Sequence, residues 1–310
     1  MYRMEIIHDI NSAEAVPTVA TIGSFDGVHR GHVAMIEETK QRAAALGLPV
    51  TLVTFANHPR MLFDSVPQPF LLSSPEVRME RLAATGVERC VVLDFDRELA
   101  AMSARDFMSA VLHQRLNVKL LVLGYDHRFG RPEPGMDAEA YISYGRGLGM
   151  EVVRAARYSE GGLKVSSSQV RRALAIGDVE TAALLLGYRY TLRGSVVHGA
   201  ALGRELGFPT ANIEPEEPMQ LLPLNGVYEV VAHVAGKEYK GVINIGIKPT
   251  VTGSGRRTVE MFMLDFEGDL YGCGIEVSFV RRLREERRFA SLDELKAQIV
   301  KDVASVKNQI

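Results

Sequence analysis

Apolar and polar positions alternate in two ways along the first half of the chain. Short runs rich in β-branched and aliphatic residues predict strands, and longer stretches between them have apolar residues at helical spacing. The start signal Ser73-Ser74-Pro75-Glu76 predicts one helix, and an apolar stripe of Phe107, Val111, Leu112 and Leu116 after Ser103 predicts another. Regular alternation of strand and helix predicts a doubly wound α/β fold around a parallel sheet. The predicted strands lie at 18–22, 50–55, 90–95, 119–123 and 150–153.

The second half has a different pattern. Strand-like runs are joined by glycine-rich connections, and no long helical pattern separates them, which predicts a small antiparallel β-barrel. A capping box at Ser291–Glu294 begins one C-terminal helix. A helical stretch ends before Gly187, so we expect a first domain at 1–186 and a second at 187–310. The predicted barrel strands lie at 227–234, 239–245, 258–264 and 275–280.

The charge balance and the length of the apolar runs indicate which kinds of binding partner are not expected. The 310 residues include 36 Lys and Arg against 38 Asp and Glu, so no polycationic surface for nucleic acid is expected. No apolar run approaches the roughly 20 residues that span a bilayer, so no membrane partner is expected. The two cysteines, Cys90 and Cys273, form no CxxC pair, and residues 1–10 show no apolar leader pattern. We therefore expect a reduced, cytoplasmic protein, and whether it forms a homo-oligomer is left open.

A glycine-rich polar turn, residues 23–32, follows the first predicted strand and leads into a helix. Small residues let the backbone approach a ligand, and a helix N-terminus offers N–H donors to phosphate. His29 and His32 are three residues apart and can project to one side, where they could donate hydrogen bonds to a nucleotide triphosphate. A glycine-rich turn with two incidental surface histidines is the alternative. The chain has neither a P-loop nor a GxGxxG fingerprint.

Two later polar segments, 124–130 and 165–172, also follow predicted strands. The second contains Ser166, Ser167 and Ser168, of which at least one is expected to cap a helix. Three hydroxyls followed by Arg171 would also suit phosphate oxygens. In a doubly wound sheet such loops converge beyond the carboxyl ends of the strands, where ligands bind.

The turn with its HxGH sequence and the serine-rich loop resemble the nucleotidylyltransferase superfamily. Together GSFDGVHRGH, TFANHP, GYDHRFG and VSSSQVRRAL resemble the FMN adenylyltransferase module of bacterial bifunctional riboflavin kinase/FAD synthetases. The resemblance implies a Rossmann-like first domain, although His127 stands where the family pattern has an aromatic residue next to the flavin. The implied ATP contacts are Gly23, Phe25, Asp26, Gly27, His29, His32, Ser166, Ser167, Ser168 and Arg171. The implied flavin contacts are His58, Pro59, Asp126 and Phe129.

A second series of motifs, GFPTAN, NIGIKPT, TVE and LREERRF, resembles riboflavin kinases and covers most of 190–305. By this resemblance Glu260 is the general base, although an acid on an edge strand would otherwise be interpreted as a surface residue. Thr210 and Asn212 offer hard oxygens of the kind that Mg²⁺ accepts. The implied contacts to ATP and Mg²⁺ are Gly199, Gly207, Pro209, Thr210 and Asn212. The implied flavin contacts are Asn244, Gly246, Arg284 and Glu286.

The combined resemblance implies a bifunctional enzyme. The barrel would phosphorylate riboflavin with ATP to give FMN, and the first domain would join FMN to AMP from a second ATP, giving FAD and pyrophosphate. One alternative is a riboflavin kinase whose first domain is degenerate or differently specific. Two others are a flavin-binding regulator and an RNA-handling HxGH protein.

Overall fold

The structure of the chain, a computed structural model, describes residues 4–63, 68–125, 128–132, 134–135, 137–198, 208–248 and 256–307. It contains two compact units. The first consists of Met1–Pro67 and Pro75–Val165, and the second of Gln68–Ser74 and Ser166–Ile310.

The first unit is built on a six-stranded parallel sheet with the strand order β1-β4-β3-β2-β5-β6. The five predicted strands are confirmed, and a short edge strand, β1, is added to them. The central strands are buried along their whole length because both faces of the sheet are covered. The strands are β1 (Glu5–Ile7), β2 (Thr18–Ile22), β3 (Val50–Phe55), β4 (Arg89–Leu93), β5 (Val118–Leu123) and β6 (Glu151–Arg154).

Helices follow the strands of this sheet, and two buried apolar clusters form its core. The unit therefore has the predicted doubly wound α/β architecture. The α-helices are α1 (Arg30–Leu46), α2 (Arg60–Phe63), α3 (Pro75–Ala83), α4 (Arg97–Ala101), α5 (Ala104–Asp106) and α6 (Ala138–Leu148). A 3₁₀ turn at Ile10–Ser12 and a hairpin of β7 (Ser159–Glu160) and β8 (Leu163–Lys164) complete the unit.

The helix predicted after Ser103 is wound differently from the prediction. Ser103 caps a single α-turn, α5, and Phe107–Arg115 then forms a π-helix. The wider i→i+5 winding changes which side chains face the core. Met108 is fully buried and Val111 is only partly buried, whereas the α-helical stripe included Val111 and not Met108.

The second unit contains a closed barrel with the order β10-β13-β12-β11-β14-β9, in which every neighbouring pair is antiparallel. The predicted barrel is confirmed, and β9 and β10 are additional to the four predicted strands. The strands are β9 (Thr191–Val197), β10 (Ala211–Pro215), β11 (Gly226–Val234), β12 (Lys237–Lys248), β13 (Arg256–Met263) and β14 (Gly274–Arg284). The helices are α7 (Ser167–Ala175), α8 (Val179–Leu186) and α9 (Leu292–Lys307).

A short segment from the first half of the sequence belongs to the second unit. The N–H groups of Phe70 and Leu71 both donate to the carbonyl of Met219, at 2.8 and 2.9 Å, and Leu221 N–H donates to Leu71 at 2.8 Å. Helices α7 and α8 also belong to this unit, and Gly187 ends α8 in a left-handed conformation as predicted. The functional division at residue 186 stays a prediction.

Candidate functional site

The turn after β2 holds the chain in conformations that most residues avoid. Phe25 has φ of 48°, Gly27 of 77° and Val28 of 34°. Left-handed backbone is costly for Phe and Val, and such strain is concentrated at functional sites. The Phe25 side chain is completely buried, which anchors the turn to the core of the unit.

His29 and His32 are brought together at the start of α1. His29 is the N-cap residue, and its Nδ1 accepts the backbone N–H of His32 at 3.2 Å. Because a backbone N–H can only donate, the proton of the neutral His29 ring lies on Nε2, which is then a hydrogen-bond donor. The two rings stack with centroids 3.6 Å apart, and the Phe25 ring meets His32 edge-on at 5.3 Å.

Gly31 supports this histidine pair because it has no side chain. A Cβ at this position would lie 3.2 Å from Nδ1 and Cε1 of His29, tighter than ordinary van der Waals contact. The glycine of the HxGH sequence therefore makes room for the imidazole of His29. Asp26, in the same turn, is buried.

The turn after β3 carries the predicted flavin residues His58 and Pro59. The Asn57 side chain and the Phe95 backbone exchange two hydrogen bonds of 3.2 and 3.1 Å, which tie this turn to the end of β4. His58 Nδ1 accepts the N–H of Arg60 at 3.2 Å, so it helps to begin α2. Since β2 and β3 are parallel neighbours, the His29 turn and the His58 turn lie at the same edge of the sheet.

Phe129, another predicted flavin residue, packs against Phe107 and Tyr141 with ring centroids 5.3 and 4.8 Å apart. The Tyr141 hydroxyl donates to the Phe129 carbonyl at 2.8 Å and accepts its N–H at 3.0 Å. Burial raises the pKa of Tyr141. A flavin contact at Phe129 stays a prediction, and Asp126 and His127 lie outside the described residues.

The serine run begins α7 of the second unit. Ser166 Oγ accepts the N–H of Gln169 at 3.4 Å, so one serine is a helix cap, as expected. Ser167 and Ser168 form the first turn of this helix. Arg171 Nε donates to the Phe70 carbonyl at 2.7 Å. The assignment of these four residues to ATP binding stays a prediction.

In the barrel, strand register aligns predicted residues from distant motifs. Glu260 on β13 is paired with Asn212 on β10 and with Asn244 on β12. Asn244 is paired with Val227 on β11, which is paired with Arg284 on β14. Directly opposed residues in a sheet present their side chains on the same face. The five residues therefore form one row, which we call the site row, across five strands.

A cavity of about 780 Å³, the larger cavity, is lined by four of the five residues of the site row, whereas Asn212 lines a separate cavity of about 580 Å³. Another cavity of about 540 Å³, the smaller cavity, is lined by Pro209 and the loop 265–271. Thr210 and Phe262 line both. Gly199 and Gly207 lie outside the described residues. The larger cavity is lined by predicted residues Thr210, Asn244, Glu260, Arg284 and Glu286, and by apolar residues that include Val227, Val242, Phe262, Leu295 and Ile299.

Arg284 is held by Asp302 of α9, a residue that sequence reasoning missed. Arg284 Nε and Nη2 both lie 2.9 Å from Asp302 Oδ2, and Gln298 Nε2 donates to Asp302 Oδ1 at 2.8 Å. Asp302 is buried. A signal was present, because Asp302 continues the apolar helical stripe of Leu295 and Ile299 and an acid there needs a partner.

Glu286 lies directly over Gly246. A Cβ on Gly246 would be 2.2 Å from Glu286 Oε1, so only glycine allows the carboxylate this close to β12. Asn225 Nδ2 donates to Glu286 at 3.5 Å, and Arg257 Nε donates to Asn225 Oδ1 at 3.0 Å. Burial lowers the pKa of Arg257, and the nearby Glu286 acts in the opposite direction.

Comparison with known proteins matches the two halves of the sequence to different family models. Residues 11–169 match FAD synthetase, and residues 186–310 match riboflavin kinase. Bifunctional riboflavin kinase/FMN adenylyltransferase of Escherichia coli K12 is 41% identical over 297 residues, covering 96% of this chain and 94% of the relative. The chain belongs to the bifunctional riboflavin kinase/FMN adenylyltransferase family. The relative from Bacillus subtilis is 35% identical over 298 residues, covering 95% of this chain and 93% of its own length.

A solved structure agrees at the level of the fold. A crystal structure titled as a macrolide-efflux protein from Streptococcus pneumoniae superposes with a TM-score of 0.86 and 29% identity over 99% of both chains. In the part of the chain that the structure describes, no helix is long and apolar enough to cross a membrane.

Family membership confirms the predicted pair of activities, riboflavin kinase and FMN adenylyltransferase. The enzyme is a transferase whose substrates are ATP, riboflavin and FMN and whose final product is FAD. The regulator and RNA-handling interpretations are set aside by the same matches.

Proposed function

We propose that the barrel phosphorylates riboflavin where its larger and smaller cavities meet, with ATP in the smaller cavity and the flavin in the larger one. The observation that carries this assignment is that Thr210 and Phe262 line both cavities while Glu260 lines the larger one. Two substrates bound in this way would face each other across Thr210. The apolar lining of the larger cavity suits an isoalloxazine ring, and Arg284 and Glu286 offer polar contacts at its edge.

In the kinase step, Glu260 accepts the proton of the terminal ribityl hydroxyl of riboflavin. The hydroxyl oxygen forms a bond to the γ-phosphorus of ATP, and the bond from that phosphorus to the β-phosphate bridging oxygen breaks, releasing ADP. Phosphoryl transfer depends chiefly on positioning and charge neutralisation. The site row supplies the positioning because its side chains are fixed by the pairing of five strands.

Thr210 and Asn212 are proposed to hold Mg²⁺ in this site. Thr210 immediately precedes β10 and Asn212 is the second residue of that strand, so a hydroxyl and an amide oxygen lie close together along the chain. Mg²⁺ accepts such hard oxygens together with nucleotide phosphates and water. The ion would neutralise charge on the phosphates. Chelation of the metal should abolish FMN formation, and added Mg²⁺ should restore it.

The adenylyl step is proposed for residues 1–186, and the kinase step for 187–310; the family matches at 11–169 and 186–310 support this division. An FMN phosphate oxygen, already an anion at neutral pH, attacks the α-phosphorus of ATP, and pyrophosphate leaves. His29 and His32 donate hydrogen bonds to the phosphates as charge moves onto the leaving group. Ser166, Ser167, Ser168 and Arg171 are proposed to contact phosphates of ATP.

The free thiols of Cys90 and Cys273 fit the reduced, cytoplasmic location that we propose. The balance of acidic and basic residues fits an enzyme with small-molecule partners and no nucleic acid.

A chromatographic time course with riboflavin, ATP and Mg²⁺ tests the proposed order of the two steps. FMN should appear transiently and then be replaced by FAD. Accumulation of FMN alone would contradict the proposed adenylyl site and would favour the alternative in which the first domain is degenerate.

A further inference from the structure

Arg78 of α3 reaches from a buried position to the ends of two neighbouring strands. Its Nη1 donates to the Ser24 carbonyl at 3.1 Å, and its Nη2 donates to the carbonyls of Phe55 at 2.7 Å and Ala56 at 3.3 Å. The residue is only 6% exposed. One guanidinium thus joins the chain just after β2 to the chain at the end of β3.

Arg78 binds carbonyls of residues that come just before the candidate site residues of the first unit in the sequence. Ser24 is followed by Phe25 and by the strained turn that leads to His29, and Ala56 is followed by Asn57 and His58. The parallel ladder joins β2 to β3 within the sheet, but beyond the strand ends the bonds from Arg78 link the two turns. A planar fork of several donors can hold both at once, which a lysine ammonium does less rigidly.

Keeping a cation in this place has a cost that a purely apolar linkage would avoid. Burial lowers the pKa of Arg78, and the nearby carboxylate of Asp26 acts in the opposite direction. A buried charge is tolerated when it is hydrogen-bonded, and three carbonyl oxygens accept hydrogen bonds from the two Nη groups, although Nε has no partner among the residues that the structure describes. Asp26 lies in the same turn as the His29–His32 stack. The positive charge of Arg78 therefore also interacts with this turn through the Asp26 carboxylate.

We propose that Arg78 is a positioning residue for adenylyl transfer: it sets the separation between the turn that carries the His29–His32 stack and the turn that carries His58 and Pro59. The first turn would bind ATP and the second would bind FMN, so Arg78 sets the distance between the two reacting phosphates. The inference rests on the proposed location of the adenylyl site.

The matched comparison is Arg78→Lys against Arg89→Lys. Arg89 is also a buried arginine of the first unit, 7% exposed, and its Nη2 donates to the Glu14 carbonyl at 2.7 Å. It begins β4, at the opposite end of the sheet from the strand ends that Arg78 binds. Both variants keep the positive charge and lose the guanidinium. They differ in the end of the sheet at which hydrogen bonds to backbone carbonyls are lost.

We expect Arg78→Lys to lower kcat for FAD formation from FMN by about tenfold or more, because small misplacements of reacting groups are costly in rate. Riboflavin phosphorylation by the same preparation should be unchanged, and the loss in Tm should match that of Arg89→Lys. Arg89→Lys should leave kcat for FAD formation near that of the parent.

Equal FAD formation by Arg78→Lys and Arg89→Lys would overturn the proposal. So would failure of Arg78→Lys to fold while Arg89→Lys folds, because Arg78 would then serve stability alone. His29→Ala distinguishes failure of the proposed adenylyl site from failure of the proposed role of Arg78. If it leaves FAD formation intact, the proposed site is wrong; if it removes FAD formation while the two lysine variants behave alike, only the role of Arg78 is wrong.

Discussion

The candidate sites of the two units are assembled by different means. In the parallel sheet, chemistry-bearing residues lie in turns just beyond strand ends, and local features position them: a strained backbone at Phe25 and Val28, and a cap at His29. In the barrel, Asn212, Glu260 and other members of the site row lie within strands and are positioned by register. One site therefore depends on local conformation, and the other on pairing between segments far apart in sequence.

This difference has consequences for what each site tolerates. A turn can be altered by one substitution without disturbing the strands beneath it, so changes there should affect catalysis more than stability. The site row is part of the barrel wall. A shift of the strand register by one residue would move every side chain of that strand to the other face. Single substitutions that leave the register intact therefore test each site without disturbing the barrel.

The largest effect is expected at Glu260 in the barrel. Glu260→Gln keeps the shape of the side chain but cannot accept a proton, so the rate of riboflavin phosphorylation should fall by about 10²- to 10⁴-fold. FAD formation from supplied FMN should be unchanged. Steady-state assays of each half-reaction measure this. Glu276→Gln is the control: Glu276 lies on β14, accepts a hydrogen bond from Arg193, and its variant should retain both activities. A comparable loss of phosphorylation in this control would contradict the role of Glu260 as general base.

The corresponding substitution in the first unit is His29→Ala. It removes the Nε2 donor and the cap of α1, and FAD formation should fall by about 10²- to 10³-fold, as for loss of one preorganised donor. The kinase rate should be preserved. His113→Ala, in the π-helix of the same unit, is the matched control. Parallel losses of both activities in folded His29→Ala would contradict the separation of the sites.

A smaller effect is expected for Asp302→Asn. Without the carboxylate, Arg284 loses its ion pair and the end of β14 loses its link to α9. We expect KM for riboflavin to rise about tenfold, equivalent to about 1.4 kcal/mol, with FAD formation from FMN unaffected. Asp293→Asn, at an exposed position of the same helix, should leave KM unchanged. A fall in kcat with an unchanged KM would show that Asp302 does not act through flavin binding.

The smallest effect is expected for Gly246→Ala. The new methyl group meets the end of a flexible side chain, so Glu286 should swing away at little cost in Tm. KM for riboflavin should rise modestly while kcat is retained. Gly274→Ala is the control, since a Cβ there meets nothing within 4 Å. Crystallography of the variant would show Glu286 displaced; an unmoved Glu286 with a lowered Tm would mean that the backbone yields instead.

Long apolar segments made most of the fold predictable. The buried strands Thr18–Ile22 and Val50–Phe55 have no polar alternation, and the end of α8 is marked by Gly187. Five of the described strands escaped prediction: β1 has only three residues, β7 and β8 have two each, and β9 and β10 interleave small and polar residues with apolar ones. The attachment of Gln68–Ser74 to the barrel unit could not be predicted, because it depends on a backbone pairing with Met219 and Leu221 far along the sequence.

The two sites also differ in how far their residues could be predicted from the sequence. The His29 turn is contiguous, so its motif already contains the stack and the glycine that allows it. The barrel residues were predicted by family resemblance, and only the register shows that Asn212, Glu260 and Asn244 share a face. Arg78 was missed because a charged residue among the other charged residues of α3 is normally a solvated surface residue.

Mixing the two single-site variants tests the central claim, that two separate sites act in succession. Glu260→Gln supplied with riboflavin, ATP and Mg²⁺ should make at most a trace of FMN or FAD in the time in which the parent converts all riboflavin, and His29→Ala should accumulate FMN. A mixture of the two proteins should produce FAD from riboflavin, because FMN released by His29→Ala can be adenylylated by Glu260→Gln. Absence of FAD in the mixture, although Glu260→Gln adenylylates added FMN, would contradict two sites that exchange FMN through solution.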